Sequence, residues 1–243
     1  MSTAAESIEP FQIDPSHDLD QMRAVFARHG RLHIPDFLAG DGAQRLHARL
    51  AAERDWSFVI NRGNKHLELT AEQSRRMPRE AHQQMMQDIM AEARDGFQLA
   101  YDVVNITRKG RVSETDDPTL NAIHALLNSS AYLDFIAQIT GVRGTWSDAT
   151  CTRYRAGQFC EMHDDKADDG DRLIAFVLNL TPRWRVDWGG ILQFIDADGH
   201  VAEGYTPAFN ALNIFRVPQA HAVSIVAPFA GGERLSVTGW VRK

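Results

Sequence analysis

Two hydrophobic rhythms divide the chain. Over the first 144 residues, apolar positions recur mostly at helical spacing. From Thr145 onward they come in short runs broken by Gly, Asp and Pro. In the first part, Leu19, Met22, Val25 and Phe26 share one face of a helix over residues 18–29, and Gly30 is placed to end it. The alternation in RLHIPDF, residues 31–37, predicts a short strand with Leu32 and Ile34 on one face. A second helix over residues 42–53 would bury Leu46, Leu50 and Ala51. Residues 55–69 read as one or two strands. Residues 72–106, rich in Gln, Met, Ala and Glu, read as mostly helical with a break at Pro78. Within them, Met85, Met86, Ile89 and Met90 form an apolar stripe suited to a core. Residues 109–117 read as a loop and 118–141 as two short helices, with Ser129 or Ser130 capping the second.

The second part gives roughly seven or eight candidate strands rich in Val, Ile, Phe, Leu, Thr and Trp, the pattern of an all-β sandwich or barrel. The fold class expected is therefore α+β or mainly β. A double-stranded β-helix (jelly roll) over residues 145–243 would be buttressed by a helical and mixed region over 17–144. These make one domain, 17–243, behind a flexible arm over 1–16.

Composition narrows the field. A chain of 243 residues can bury a core without disulfides or a structural metal. The formal net charge of -6 argues against a general nucleic-acid or membrane-surface binder. The longest apolar runs, such as residues 174–178, are far too short to span a bilayer. Cys151 and Cys160 lack zinc-site spacing and read as reduced thiols. The opening MSTAAESIEP has neither the basic start nor the apolar stretch of a secretory signal, so a cytoplasmic location is expected.

Candidate chemistry centres on YRAGQFCEMHDD, residues 154–165. His163 and Asp165 are two apart, and on an extended strand they point to the same side. An imidazole and a carboxylate so placed are two legs of a two-histidine, one-carboxylate facial triad, which leaves positions open on Fe(II). In a chain with ten histidines the pair alone is a weak signal, and it also reads as two strand-end side chains bonding the backbone. His221, in the alternating run HAVSIVA, sits where a facing strand would return the third ligand. Its other reading is an ordinary core or surface histidine. His200 follows the turn Asp198-Gly199 and is a poor ligand. Arg234 opens RLSVTGWVRK. Alternation sets Arg234, Ser236, Thr238 and Trp240 on one face, against Leu235, Val237 and Val241 on the other. If the first face lines a barrel interior, an unpaired guanidinium there costs on the order of several kcal/mol. A bound carboxylate would offset that cost, with hydrogen bonds added by Ser236 and Tyr154. If the face meets solvent, Arg234 is an ordinary surface arginine.

From Tyr154 to Trp240 the chain resembles the 2-oxoglutarate- and Fe(II)-dependent oxygenases of the prolyl-hydroxylase type. The resemblance runs through Tyr154 and Gly157, His163 and Asp165, and Arg172 leading LIAFVLNL. It continues through Trp184, Gly189, Gly190 and Leu192, then Pro207 and Asn210, and closes on His221, Val223, Arg234 and Trp240. The resemblance implies that His163, Asp165 and His221 bind Fe(II). It implies that Arg234 pairs with the distal carboxylate of 2-oxoglutarate, that Tyr154 hydrogen-bonds it, and that Leu192, Val223 and Trp240 line its pocket. Some members carry a second tyrosine on the strand after the His-x-Asp loop, where residues 176–178 here have none. The implied activity consumes 2-oxoglutarate and O2, with ascorbate as a candidate reductant, and hydroxylates a prolyl residue in a peptide or protein. Residues 72–106 and 109–117 would wall a peptide groove, and the acidic stretch 164–171 would face a basic substrate or simply solvent. A free amino acid or other small-molecule substrate, a non-catalytic metal- and 2-oxoglutarate-binding sensor, and a zinc hydrolase stay open as alternatives.

Overall fold

The computed structural model describes residues 8–63, 65–107 and 110–243. Helix α1 (Leu19–His29) starts at Asp18, whose carboxylate accepts the N–H groups of Asp20 and Gln21, and stops at Gly30 in the left-handed conformation. Strand β1 (Arg31–Ile34) follows, with Leu32 and Ile34 buried on one face. Helix α2 (Gly42–Ala52) buries Leu46 and Leu50, whereas Ala51 is exposed, against expectation: the buried stripe runs along Leu46 and Leu50, four residues apart, and Ala51 falls off it. The hairpin β2 (Ser57–Arg62) and β3 (Lys65–Leu69) precedes α3 (Ala71–Arg76) and α4 (Arg79–Glu92), which are separated at Pro78. Met85 and Ile89 of α4 pack on Phe58 and Ile60 of β2, so the methionine stripe is core.

Two further expectations for this half need correcting. Residues 99–105 form strand β4 (Leu99–Asn105), not helix, and β4 runs between β2 and the later strands. Its two faces are both largely buried, so the alternation that marks a half-exposed strand is missing. The arm expected over 1–16 is pinned at its end. Phe11 is buried in the core, Ile13 bridges Leu38, and Asp14 N–H donates to Phe37 O. Residues 1–7 lie outside the described residues.

Helices α5 (Pro118–Leu127) and α6 (Ser130–Thr140) come next, with Ser129 capping α6. Nine further strands follow among the described residues, one more than the upper expectation. They are β5 (Trp146–Ser147), β6 (Thr150–Tyr154), β7 (Phe159–His163), β8 (Arg172–Asn179), β9 (Leu192–Ile195), β10 (Val201–Tyr205), β11 (Ala211–Arg216), β12 (His221–Val223) and β13 (Arg234–Arg242). The main sheet runs β1-β11-β8-β13-β6-β4-β7-β12-β9-β10, and its pairings are antiparallel. Its two outer strands meet through side chains. Arg31 of β1 pairs with Glu203 of β10, and the His33 and Tyr205 rings lie 5.3 Å apart. The result is a nearly closed jelly-roll barrel.

The barrel has two unlike faces. Its outer face over β8, β11 and β13 (Ile174, Phe176, Leu178, Leu212, Ile214, Leu235, Val237) packs against α1, α2, α5 and α6, forming the main core. Its inner face carries Ala175, Val177, Leu192, Phe194 and Phe215 beside a cavity. The N-terminal helices thus support the barrel from behind, as expected. No described helix is long and apolar enough to cross a membrane.

Candidate active site

Pairing of β7 with β12 sets His221 directly opposite His163, with ring centroids 4.2 Å apart. Asp165 reaches them by a different route from the one expected. Strand β7 ends at His163, and Asp165 adopts a left-handed backbone, φ 60°, so a turn and not strand alternation aims its carboxylate. Asp165 Oδ1 lies 3.4 Å from His163 Nε2, and Oδ2 lies 3.5 Å from His221 Nε2. One ligand atom from each residue falls within 4.8 Å of the others. Each histidine also holds its Nδ1 2.8 Å from a backbone carbonyl, Glu161 O for His163 and Gln219 O for His221. A carbonyl only accepts, so each Nδ1 carries a proton and each Nε2 turns its lone pair toward the carboxylate when the ring is neutral.

The three groups share their charge unevenly. Burial works against a cation on His163, but its hydrogen bonds to Asp165 and Cys160 outweigh that and push its pKa up to about 11. Burial holds His221 below the ordinary histidine range despite the nearby Asp165 carboxylate. For Asp165, burial works upward and is outweighed by His163 and His221, so it stays ionised below the usual carboxylate range. One proton on His163 thus stands in for a cation among two imidazoles and a carboxylate. A divalent ion replacing that proton would meet two imidazoles and one carboxylate, a donor set suited to Fe(II).

The opposite end of the site is built around Arg234, the first residue of β13. It is 2% exposed, and its Nε and Nη1 have no hydrogen-bond partner among the described residues. Burial lowers its pKa. The guanidinium carbon sits 5.2 Å from the centre of the Tyr154 ring, which stacks on Tyr101 at 4.9 Å. Space for the arginine stem comes from Gly190, φ 62°, where a Cβ would come within 3.1 Å of Trp184 and 3.6 Å of Arg234 Cδ. Trp184 fixes that turn by donating from Nε1 to Gly189 O at 2.8 Å.

Both ends open on one cavity of about 410 Å³. Tyr154, Leu192, Val223, Arg234 and Trp240 line it with the His163, Asp165 and His221 cluster. Ser236 behaves differently. Its hydroxyl is 2.8 Å from that of Thr152, and it is Thr152 and Thr238 that reach the cavity wall. His200 is exposed in its turn, away from the cluster. In the acidic stretch Asp171 pairs with Arg242, while Asp168 and Asp169 are exposed.

Lining residues not singled out for the site from sequence include Tyr101, Phe97 and Arg172. Tyr101 was hidden by the helical reading of β4. Phe97, 43% exposed, sets its ring 5.5 Å from that of His163 at the mouth. Arg172 was noted only as leading a strand. Its guanidinium carbon lies 3.8 Å from the centre of the Trp240 ring, and its Nη1 donates to Asp165 O at 3.3 Å.

Residues 149–242, the stretch that contributes all three histidine and aspartate donors and Arg234, match the family model of the 2OG-Fe(II) oxygenase superfamily. Over that stretch the chain is similar to a 2OG-Fe(II) oxygenase domain. Among curated proteins, the chain is similar to the mouse (Mus musculus) prolyl 3-hydroxylase OGFOD1, 29% identical over 57% of this chain and 26% of that one. It is also similar to the Drosophila melanogaster prolyl 3-hydroxylase sudestada1, 27% identical over 44% of this chain and 22% of that one. The matched part thus spans about a quarter of the length of these relatives. Among solved structures, a Pseudomonas putida prolyl-4-hydroxylase aligns with TM-score 0.62 and 22% identity, covering 93% of this chain and 98% of its own. A Trichoplax adhaerens prolyl hydroxylase, in complex with a hypoxia-inducible-factor oxygen-degradation-domain peptide fragment, aligns with TM-score 0.61 and 17% identity, covering 92% and 88%. At those identities the two structures establish the shared jelly-roll fold.

Proposed function

We propose that this oxygenase is an Fe(II)- and 2-oxoglutarate-dependent hydroxylase acting on a prolyl residue of a peptide or protein. The observation that carries the reading is the pairing of two unlike ends in one cavity: a candidate metal donor set at one, and at the other a buried guanidinium whose Nε and Nη1 have no hydrogen-bond partner among the described residues. In this reading His163, Asp165 and His221 hold the iron through two Nε2 atoms and a carboxylate oxygen. Bound iron supplies the activation of O2 that an unreactive C–H bond requires.

The chain's own residues do the rest. Arg234 presents Nε and Nη1 to the distal carboxylate of 2-oxoglutarate, a charge-assisted pair strengthened by the dry surroundings. Tyr154 and Tyr101 add a phenolic edge beside it, in place of the tyrosine missing from residues 176–178. Leu192, Val223 and Trp240 exclude water from between the two ends. The proton held on His163 leaves to solvent as the metal arrives.

Support for a prolyl substrate comes from the named activities of the mouse and fly relatives and from the peptide bound to the Trichoplax neighbour. The exposed face of Phe97 beside the cluster suits packing against a pyrrolidine ring. A zinc hydrolase would leave Arg234 without a task. The test is mass spectrometry of proline-containing peptides and lysate proteins after incubation with Fe(II), 2-oxoglutarate, O2 and ascorbate. A product heavier by one oxygen on proline, formed only with 2-oxoglutarate present, is expected. Hydroxylation confined to free amino acids, or no oxygen gain with any substrate, would contradict it.

A further inference from the structure

On the outer face of the barrel a line of ions mirrors the co-substrate end of the cavity, one residue out of phase on three strands. Asp102 of β4 is 1% exposed and sits next to Tyr101. Arg153 of β6 sits next to Tyr154. Glu233 immediately precedes Arg234 at the start of β13. Strand alternation sends each neighbour to the other face, so Tyr101, Tyr154 and Arg234 line the cavity while Asp102, Arg153 and Glu233 lie behind it.

The outer three are tied together. Asp102 accepts from Arg153 Nε at 2.9 Å, from Arg155 Nε at 2.8 Å and Nη2 at 3.2 Å, and from Gln158 Nε2 at 3.4 Å. Arg153 also lies 3.5 Å from Glu233 and stacks its guanidinium over Trp56 at 4.8 Å. The register is the same one that sets the cavity: Asp102 pairs with Arg153, and Arg234 with Tyr154. A buried carboxylate is costly unless its bonds are complete, and once they are complete it is stiff. Slackening it shifts β4 against β6 and, with them, the Tyr101–Tyr154 stack against which the Arg234 guanidinium rests.

We propose that Asp102, through Arg153, Arg155 and Glu233, is a positioning residue that sets the spacing of Tyr101, Tyr154 and Arg234, and so the grip on the distal carboxylate of a 2-oxo diacid. The inference rests on the reading of Arg234 given above. It differs from a general structural role in being selective. Loss of the network weakens binding through the distal carboxylate and acts less on the metal end, whose histidines sit on β7 and β12 and meet β4 only through the Leu99–Cys160 and Ala100–Phe159 pairs.

The test compares two 2-oxo acids by anaerobic calorimetry on the full chain loaded with Mn(II): 2-oxoglutarate, and pyruvate, which lacks the distal carboxylate. Wild type is expected to prefer 2-oxoglutarate. Asp102→Asn is expected to lose about 10- to 100-fold in 2-oxoglutarate affinity, the range for partners one step removed from a ligand, with smaller losses for pyruvate and Mn(II). Arg155→Gln and Glu233→Gln, at more exposed positions, are expected to shift the same ratio by less, and they carry the test if Asp102→Asn does not fold. Full 2-oxoglutarate preference in the variants, or equal losses for both acids, would overturn the inference alone. A wild type that binds pyruvate as tightly as 2-oxoglutarate would overturn the reading of Arg234 and this inference with it.

Discussion

The two ends of the cavity solve the problem of buried charge in opposite ways. At one end His163, Asp165 and His221 satisfy one another: a shared proton, two contacts near 3.4 and 3.5 Å, and backbone carbonyls behind both rings. At the other end Arg234 has a tyrosine ring beside it and two nitrogens, Nε and Nη1, with no hydrogen-bond partner among the described residues. In the proposed reading, the first end is at ease without its ligand and exchanges a proton for a metal. The second is strained without its ligand and gains from any well-placed anion. The difference teaches how affinity would be divided in that reading: by pH at the histidine–aspartate end, and by relief of desolvation at the arginine end.

The sharpest break in this comparison is removal of a donor from the metal end. His221→Ala or Asp165→Ala should abolish Fe(II) and Mn(II) binding at micromolar metal and with it all 2-oxoglutarate turnover, as followed by metal titration and succinate release. Next in size is Arg234→Met. It should weaken 2-oxoglutarate binding by about 2–4 kcal/mol, as for a broken desolvated charge pair. The same change should stabilise the ligand-free protein by about 1–3 kcal/mol in denaturant melts, because it replaces an unpaired buried cation with an apolar side chain. The corresponding change at the metal end has no such benefit, so opposite signs of stability and binding mark the arginine end.

A third test uses pH. Since His163 has its pKa pushed up to about 11, it stays protonated in the metal-free protein across neutral pH. Metal must displace that proton, so affinity rises with pH through neutrality, by about tenfold per unit, and does not level off above the ordinary histidine range. Calorimetry in buffers of different ionisation enthalpy should show about one proton released per metal at neutral pH. No proton release would contradict the pairing of His163 with Asp165. The smallest effect expected is from Tyr101→Phe, which keeps the stack on Tyr154 and removes one hydroxyl. A loss of about 1 kcal/mol in 2-oxoglutarate affinity, and none in metal affinity, would place that hydroxyl at the arginine end.

How much of this was legible in the chain follows from what each signal depends on. The helices α1, α2, α5 and α6 could be read because each has one wet face, and Asp18, Ser129 and Gly30 mark their ends. The donors could be read because their order and spacing survive whatever the backbone does between them. Strand β4 could not, because a strand buried on both faces loses its period and leaves Tyr101 inside an apolar run. The aim of Asp165 was right for the wrong reason: two-residue spacing suggested a strand, and a left-handed turn supplies the geometry instead. The place of Ser236 was misjudged because alternation gives the face of a side chain but not its partner, and Thr152 on the next strand takes its hydroxyl. The ionic line behind the cavity was invisible for the same reason, since Asp102, Arg153 and Glu233 meet only once strand register is known.

The central claim is that one small molecule spans both ends of the cavity, touching the metal at one and Arg234 at the other. Reciprocal coupling tests it directly: anaerobic titration of 2-oxoglutarate into the protein with and without Mn(II), and of Mn(II) with and without 2-oxoglutarate. The account expects each ligand to tighten the other by the same factor, and that factor to collapse in His221→Ala. Equal 2-oxoglutarate affinity with and without the metal would contradict it.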